Sequence, residues 1–310
     1  MMKPIKSVFI VGPTASGKTD FAINLAKHFN GEIVSADSMQ IYKDIPIASA
    51  CPTKQEKEAV MHHLTEFIEL SSSYSVSQYL DDAKTVITDI NLRNKIPFVV
   101  GGTGLYIDCL ANGTEFAYDN DDSVRKNLLD RLNSEPIENL YAELMKIDRE
   151  SCEKISVNDT KRIIRALEIY YTTGKTKSQI DRDSQNGEKF VEPLYIGLNF
   201  SDREKLYERI NSRVDRMIND GLLQEAREVL SKTAKNGAAQ AIGHKELMPY
   251  ILGEDTLENC VEKLKMQTRR YAKRQLTWFR KNENINWIYL DKTENPLEYA
   301  VNLCNEFLKG

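Results

Sequence analysis

Gly12, Pro13, Thr14, Ala15, Ser16, Gly17, Lys18 and Thr19 satisfy the pattern G-x-x-x-x-G-K-[ST] in full. That pattern works only between a buried strand and a helix, and the flanking residues supply both. Lys6 to Val11 (KSVFIV) is a short apolar run that predicts a strand, and Thr19 to Phe29 places apolar residues at helical spacing. Glycines let backbone N–H groups curl around an anion, and the helix N-terminus adds positive potential. Lys18 contributes a point charge, and the Thr19 hydroxyl can reach a Mg²⁺ held by bound phosphates. The implied fold is α/β, and the implied ligand is a diphosphate or polyphosphate whose identity other residues must decide.

Glu32 to Ala36 and Ile96 to Val100 read as further strands, with a helix near Val76 to Asn91 between them. Strands alternating with helices predict a central parallel sheet. An ordinary P-loop ATPase ends a later strand in an acidic Mg²⁺ partner, but here Val100 runs into Gly101, Gly102 and Thr103, which disfavours an ATP-hydrolysing engine. Asp37 follows the second strand and so emerges at the carboxyl edge of the sheet, beside the phosphate cradle. A carboxylate there can accept a proton from a hydroxyl or amine, and Ser38 and Gln40 can hydrogen-bond a planar base.

With 310 residues the chain can bury a core and carry a second unit. Its texture turns polar and helical between about 115 and 189, then returns to strand character at Pro193 to Phe200. The expected organisation is a P-loop core over 1–114, a helical insertion over 115–190, and the rest of the core over 191–310. Ser201, Asp202 and Glu204 mark a helix start, and Asn286 to Leu290 reads as a late strand. The five cysteines form no C-x-x-C pair, so neither a zinc site nor a disulfide framework is encoded. His62 and His63 face different directions with no evident third ligand and read as structural. Without a signal peptide or an apolar run of about 20 residues, a cytoplasmic protein with no membrane contact is expected, with a monomer as the expected assembly.

A net charge of −4 argues against a uniformly basic nucleic-acid binder, so any RNA surface must be local. A helix over Lys263 to Lys281 gathers Arg269, Arg270, Lys273, Arg274, Arg280 and Lys281 into one arc of about 140°. Leu264, Tyr271, Ala272, Leu276, Trp278 and Phe279 fill the opposite face. Charge runs are usually solvated faces, but no acid interrupts this one from Arg269 to Lys281, which favours phosphate contacts. Lys161, Arg162 and Arg165 form a second cluster on a helix whose Ile163, Ile164, Leu167 and Tyr170 look buried. Gly243 permits close backbone approach, with Gln240, His244 and Lys245 as polar contacts; the plainer alternative for His244 is a surface turn.

The P-loop, Asp37 to Tyr42 (DSMQIY), Gly101 to Tyr106 (GGTGLY), Asn158 to Glu168 (NDTKRIIRALE), Gln240 to Glu246 (QAIGHKE) and Thr268 to Arg280 (TRRYAKRQLTWFR) together resemble the tRNA dimethylallyltransferase family, in the family's order and across nearly the whole chain. The resemblance implies that the P-loop cradles dimethylallyl diphosphate and that no ATP is consumed. It implies Asp37 as general base for an adenine N6 amine, with Lys18 and Mg²⁺ on the leaving diphosphate. It also implies Asp37, Ser38, Met39 and Gln40 around that adenine, Thr103 and Arg125 where donor and tRNA meet, and the segment from Lys161 to Arg165 as a tRNA contact. The expected machine is a channel receiving the donor from one side and a flipped-out adenine from the other, with the insertion clamping the anticodon stem-loop.

One stretch departs from the family pattern. Where relatives commonly carry Asp-Ile-Gly-Thr-Ala-Lys-Pro, this chain has Pro46 to Pro52 (PIASACP), so a lysine is replaced by Cys51, which reads as a filler and not as a nucleophile. Three rivals share parts of the pattern: a P-loop kinase with Asp37 activating a hydroxyl, an enzyme prenylating free adenine nucleotides, and an RNA-binding switch with the P-loop as nucleotide sensor. The first leaves the basic C-terminal helix without a role. The second needs no RNA-binding insertion, and the third has no use for Asp37 and Thr103.

Overall fold

The computed structural model describes residues 3–114, 122–185, 189–232 and 241–310. Two compact units emerge, one formed by Met1–Ala111 with Phe190–Gly310, the other by Asn112–Lys189.

The first unit opens with β1 (Ile5–Val11), α1 (Lys18–His28), β2 (Gly31–Ser35), the one-turn α2 (Pro46–Ser49), α3 (Lys54–Ala59) and β3 (His62–His63). It continues with α4 (Val76–Leu92), β4 (Ile96–Gly101) and α5 (Gly104–Asn112). The second unit holds α6 (Asp122–Ser134), α7 (Ile137–Ile147), α8 (Arg149–Cys152), α9 (Thr160–Thr173) and α10 (Lys177–Gln185). The chain then returns to the first unit through β5 (Val191–Asn199), α11 (Arg203–Asn219), α12 (Leu222–Lys232), α13 (His244–Ile251), α14 (Leu257–Phe279), β6 (Asn286–Tyr289) and α15 (Pro296–Lys309).

All six strands run parallel, in the order β3-β2-β4-β1-β5-β6. Val8 to Val11 are fully buried because a parallel sheet is covered on both faces, which is why β1 reads as an unbroken apolar run. Below it, Val8, Ile10, Phe98, Ile196 and Leu198 close onto Ala22, Leu25 and Ala26 of α1. The strand order reverses beside β1, so a crevice opens at the carboxyl edge where β1, β2, β4 and β5 all end. β5 starts two residues before Pro193 because β6 pairs only from Ile196 onward, leaving that position an edge where proline's missing N–H costs little. α14 starts at Leu257 and not Lys263, since Thr256 accepts the Asn259 amide and caps it. Of the adjacent histidines, His63 bonds Glu32 through Nε2 at 2.7 Å, and His62 Nδ1 bonds the Val60 carbonyl at 2.8 Å. Among the described residues no helix is long and apolar enough to cross a membrane.

The ends of β2 and β4 touch backbone to backbone. Ala36 N–H donates to the Val100 carbonyl at 2.8 Å, and Thr103 N–H donates back to the Ala36 carbonyl at 3.2 Å. Gly101 makes this approach possible, because a Cβ there would lie 2.1 Å from the Ala36 oxygen. The contact sets Asp37 and Thr103 next to each other.

The second unit has its own core, in which Leu128, Leu140, Leu144, Ile163, Ile164 and Leu167 converge from α6, α7 and α9. Glu168 is 2 % exposed within it and takes Arg125 at 3.1 Å and Arg165 at 2.9 Å. A buried carboxylate needs such partners.

Gly101→Ala should destabilise the fold by about 2 kcal/mol, the scale of overpacking against backbone. Equilibrium urea unfolding measures it; an unchanged midpoint would mean that the β2 and β4 ends are not locked.

Candidate active site

The P-loop folds as its glycines require. Gly12 has φ 146° and a Cβ there would fall 2.4 Å from the Leu198 carbonyl, so only glycine lets the loop leave β1 against the end of β5. Lys18 opens α1 and donates from Nζ to the Pro13 carbonyl at 2.8 Å, folding its ammonium across the loop. Burial pulls the Lys18 pKa down to about 8, with Asp37 opposing and Arg213 adding to the fall. Ser16 Oγ is buried in the loop without a hydrogen-bond partner among the described residues.

Two helices from the C-terminal half hold the cradle. Gln275 of α14 accepts the Thr14 amide on Oε1 at 2.8 Å and donates from Nε2 to the Gly102 carbonyl at 3.0 Å. One side chain thereby ties the P-loop to the end of β4. Arg209 of α11 donates from Nε to the Ala15 carbonyl at 3.0 Å.

Asp37 stands across the crevice, its Oδ1 accepting the Met39 amide at 2.9 Å in a turn that fixes the carboxylate. Thr103 Oγ1 accepts the Ser38 amide at 3.0 Å. Met39 is partly buried against the cluster containing Ile41 and Tyr42. Gln40 is held at both ends, its Oε1 accepting from Ser35 Oγ at 2.8 Å and its Nε2 donating to the Ala50 carbonyl at 3.0 Å. It therefore offers a base one remaining N–H and one remaining lone pair.

These groups line one cavity of ≈ 600 Å³, bounded by the P-loop, Asp37, Gln40, Tyr271 and Gln275 and by Arg209, Arg213 and Arg216 along α11. Among the described residues no carboxylate pairs with Lys18, Arg213 or Arg216. Arg213 is itself held below its ordinary value by burial and by Arg216, with Asp37 opposing. Burial, reinforced by Asp37, pushes the Tyr271 phenol up and keeps it a neutral donor. Cys51 also lines the cavity, and burial pushes its thiol up to about 12, so no thiolate nucleophile exists at neutral pH.

Arg209, Arg213, Arg216, Tyr271 and Gln275 are absent from the sequence expectation as site residues. The arginines carried a readable signal, since positions i, i+4 and i+7 share one helix face, but Glu204, Glu208 and Asp215 alternate with them, and a helix of mixed charge reads as a solvated face. Gln275 carried none, because nothing in one sequence says that a glutamine amid basic residues turns inward.

The remaining expected residues divide. On α14, Arg270, Lys273 and Arg274 are exposed, as are Arg280 and Lys281, while Leu264, Ala272 and Phe279 are buried and Trp278 Nε1 donates to Asp108 at 2.7 Å. Arg269 is tied to Asn211 at 2.6 Å and leaves the free stripe. In the second unit Lys161 and Arg162 are exposed, but Arg125 and Arg165 both serve Glu168. Ile163 and Ile164 are 0 % and 2 % exposed, so as RNA contacts they are corrected: their side chains fill that unit's own core. His244 is corrected likewise. It is fully buried, neither a surface turn residue nor an RNA contact, and its Nε2 bonds Glu225 at 2.8 Å. Gly243 is buried and Lys245 exposed, and Gln240 lies outside the described residues.

A pocket of uncompensated cations facing a fixed carboxylate can bind an anionic leaving group and take a proton from a nucleophile beside it. The family model described as IPP transferase matches residues 40–282, and one described as isopentenyl transferase matches 5–66. The tRNA dimethylallyltransferase of Thermoanaerobacter sp. (strain X514) is 43 % identical, with 99 % of this chain and 98 % of the relative covered. That of Clostridioides difficile (strain 630) is 42 % identical over 95 % of this chain and 94 % of the relative. Among solved structures, the tRNA isopentenylpyrophosphate transferase of Bacillus halodurans superposes with a TM-score of 0.72 at 38 % identity, covering 98 % of this chain and 97 % of that one. A eukaryotic dimethylallyltransferase acting on tRNA superposes with a TM-score of 0.84 at 32 % identity, covering 98 % and 80 %. Matched over nearly its full length by these relatives and by the family model, the chain belongs to the tRNA dimethylallyltransferase family.

Proposed function

We propose that this protein transfers the dimethylallyl group of dimethylallyl diphosphate to N6 of the adenosine 3′-adjacent to the tRNA anticodon. The observation that carries this reading is one cavity joining Lys18, Arg213 and Arg216, cations with no ion-paired acid among the described residues, to the fixed carboxylate of Asp37. The diphosphate lies on the P-loop amides and those cations. The bond between the allylic carbon and the diphosphate oxygen breaks, a bond from that carbon to N6 forms, and the amine's proton passes to Asp37. Diphosphate leaves with the electron pair of the broken bond. Gln275 and Arg209 keep the cradle in place while charge develops on the leaving group, and Gln40 with Ser38 orients the base. Excluding water from this cavity would protect the cation-like carbon from capture.

Among the described residues no group of three acidic, histidine or cysteine side chains is placed to hold a metal ion. The protein's fitting donor is the Thr19 hydroxyl in the cavity wall, so Mg²⁺ would be held by Thr19 and the donor's own diphosphate oxygens. Bound there, it would neutralise leaving-group charge. The tRNA partner is supported by the relative solved in action on tRNA. Lys161 and Arg162 of the helical unit and the α14 stripe of Arg270, Lys273 and Arg274 supply exposed cations for its phosphates. A clamping role for the helical unit follows from this same reading.

Asp37→Asn keeps an oxygen for the Met39 turn but removes the base, so kcat should fall by roughly 10²- to 10⁴-fold with donor KM little changed. Transfer of labelled donor into an unmodified anticodon stem-loop checks it; parental kcat would remove Asp37 from the reaction. In the free protein the Lys18 ammonium is fully present only well below pH 8 and is lost as the pH rises through about 8. Diphosphate affinity, followed calorimetrically from pH 7.5 to 9.5, should therefore weaken by up to about tenfold per pH unit above 8. Lys18→Ala should bind more weakly at pH 7.5 and show a flatter profile; a parental slope in that variant would assign the titration elsewhere.

A further inference from the structure

His244 is fully buried and cannot touch a macromolecular partner, yet its ring is not idle. Its Nε2 bonds Glu225 Oε1 at 2.8 Å, and that carboxylate reaches out of α12 to the α2 turn. Glu225 Oε2 accepts the Ile47 amide at 2.8 Å, and Oε1 also accepts the Ala48 amide at 2.9 Å. These amides open a one-turn helix that starts with Pro46 and has no side-chain cap of its own. Glu225 does what a local cap would do, from 178 residues away.

The turn ends at Ala50, whose φ of 47° aims its carbonyl back at Gln40 Nε2, 3.0 Å away. Ser35 Oγ holds the other end of that amide at 2.8 Å. Ser35, Gln40, Ala50 and Cys51 all line the cavity opposite the P-loop. An unbroken path of hydrogen bonds and one helical turn thus runs from His244 through Glu225 and Ala50 to Gln40. It passes through the stretch where this chain departs from its family's lysine-bearing pattern, so no charged side chain at position 51 holds that wall from within.

We infer that His244 and Glu225 are positioning residues that set the α2 turn and, through it, the orientation of the Gln40 amide toward the acceptor base. They touch no substrate. This rests on the adenine-acceptor reading above and adds that acceptor recognition is tuned from a buried pair behind the cavity wall. A purely structural contact would weaken folding or both substrates alike, whereas a positioning contact acts on the acceptor.

Steady-state transfer by the full chain, with donor and RNA stem-loop varied separately, tests this in His244→Ala, His244→Gln and Ser35→Ala. His244→Ala should lower kcat/KM for RNA by about tenfold while donor KM stays within about twofold of the parent. His244→Gln should regain most of the loss, since its amide can donate to Glu225 from nearly the same point. Ser35→Ala frees Gln40 at its other end without touching any helix, and should reproduce the split even if His244→Ala does not fold. Amide exchange over residues 46–52 should quicken in His244→Ala while β1 stays protected. Equal losses in the donor and RNA parameters, parental kinetics in both alanine variants, or unchanged exchange over 46–52 would overturn the proposal. The parent's own ability to label RNA decides the broader reading separately, and the exchange measurement stands whichever way that falls.

Discussion

Positive charge without a partner is expensive to keep inside a protein, and the carboxyl edge of this sheet keeps several such charges together. Lys18, Arg213 and Arg216 face a common cavity with no ion-paired acid among the described residues. Burial draws the Lys18 ammonium below its ordinary value, with Asp37 opposing and Arg213 adding to the fall. The surrounding structure tolerates this because backbone carbonyls of Pro13 and Ala15 take up donors, and because Gln275 and Arg209 fasten the loop from outside. In the proposed reaction an incoming dianion relieves it. Ligand affinity is in this sense stored in the free fold.

The same P-loop scaffold usually serves phosphoryl transfer, and what redirects it here is small. β4 ends in glycines and a threonine where a hydrolase would place an acid for its metal, and Gly101 uses the freed space to bring Ala36 against the strand end. That approach places the Asp37 carboxylate across the crevice from the P-loop and not on it. In the proposed reaction the bond that breaks can then be the one between carbon and the diphosphate oxygen, with the phosphates held still as leaving group.

Much of this was legible in the sequence for a definite reason. β1, the glycine turn and α1 are local in sequence and local in space, so pattern and structure coincide; the same holds for β2 followed by Asp37 and β4 followed by Gly101 and Gly102. What escaped was made by distant partners. Gln275 meets Thr14 across 261 positions, and Glu225 meets Ile47 across 178. His244 looked like a surface contact because glycine and lysine flank it, but α12 and the α2 turn close over it. Arg165, which the pattern placed in a cationic cluster, and Arg125, which the resemblance placed where donor and tRNA meet, are both held by a buried acid, Glu168, on the hidden face of α9. Periodicity tells which face of a helix is covered and is silent on what does the covering.

Trp278 carries a different kind of consequence. Its indole N–H bonds Asp108 at 2.7 Å, Lys281 lies over its ring, and it stands three residues beyond the glutamine that clasps the P-loop. The chain has only one other tryptophan, Trp287 on β6. Nature has thus placed a fluorophore, with a carboxylate at its nitrogen and a cation on its face, on the very rod that holds the cradle. A movement of α14 that altered either contact would change the electrostatic surroundings of this indole, and with them the light it emits.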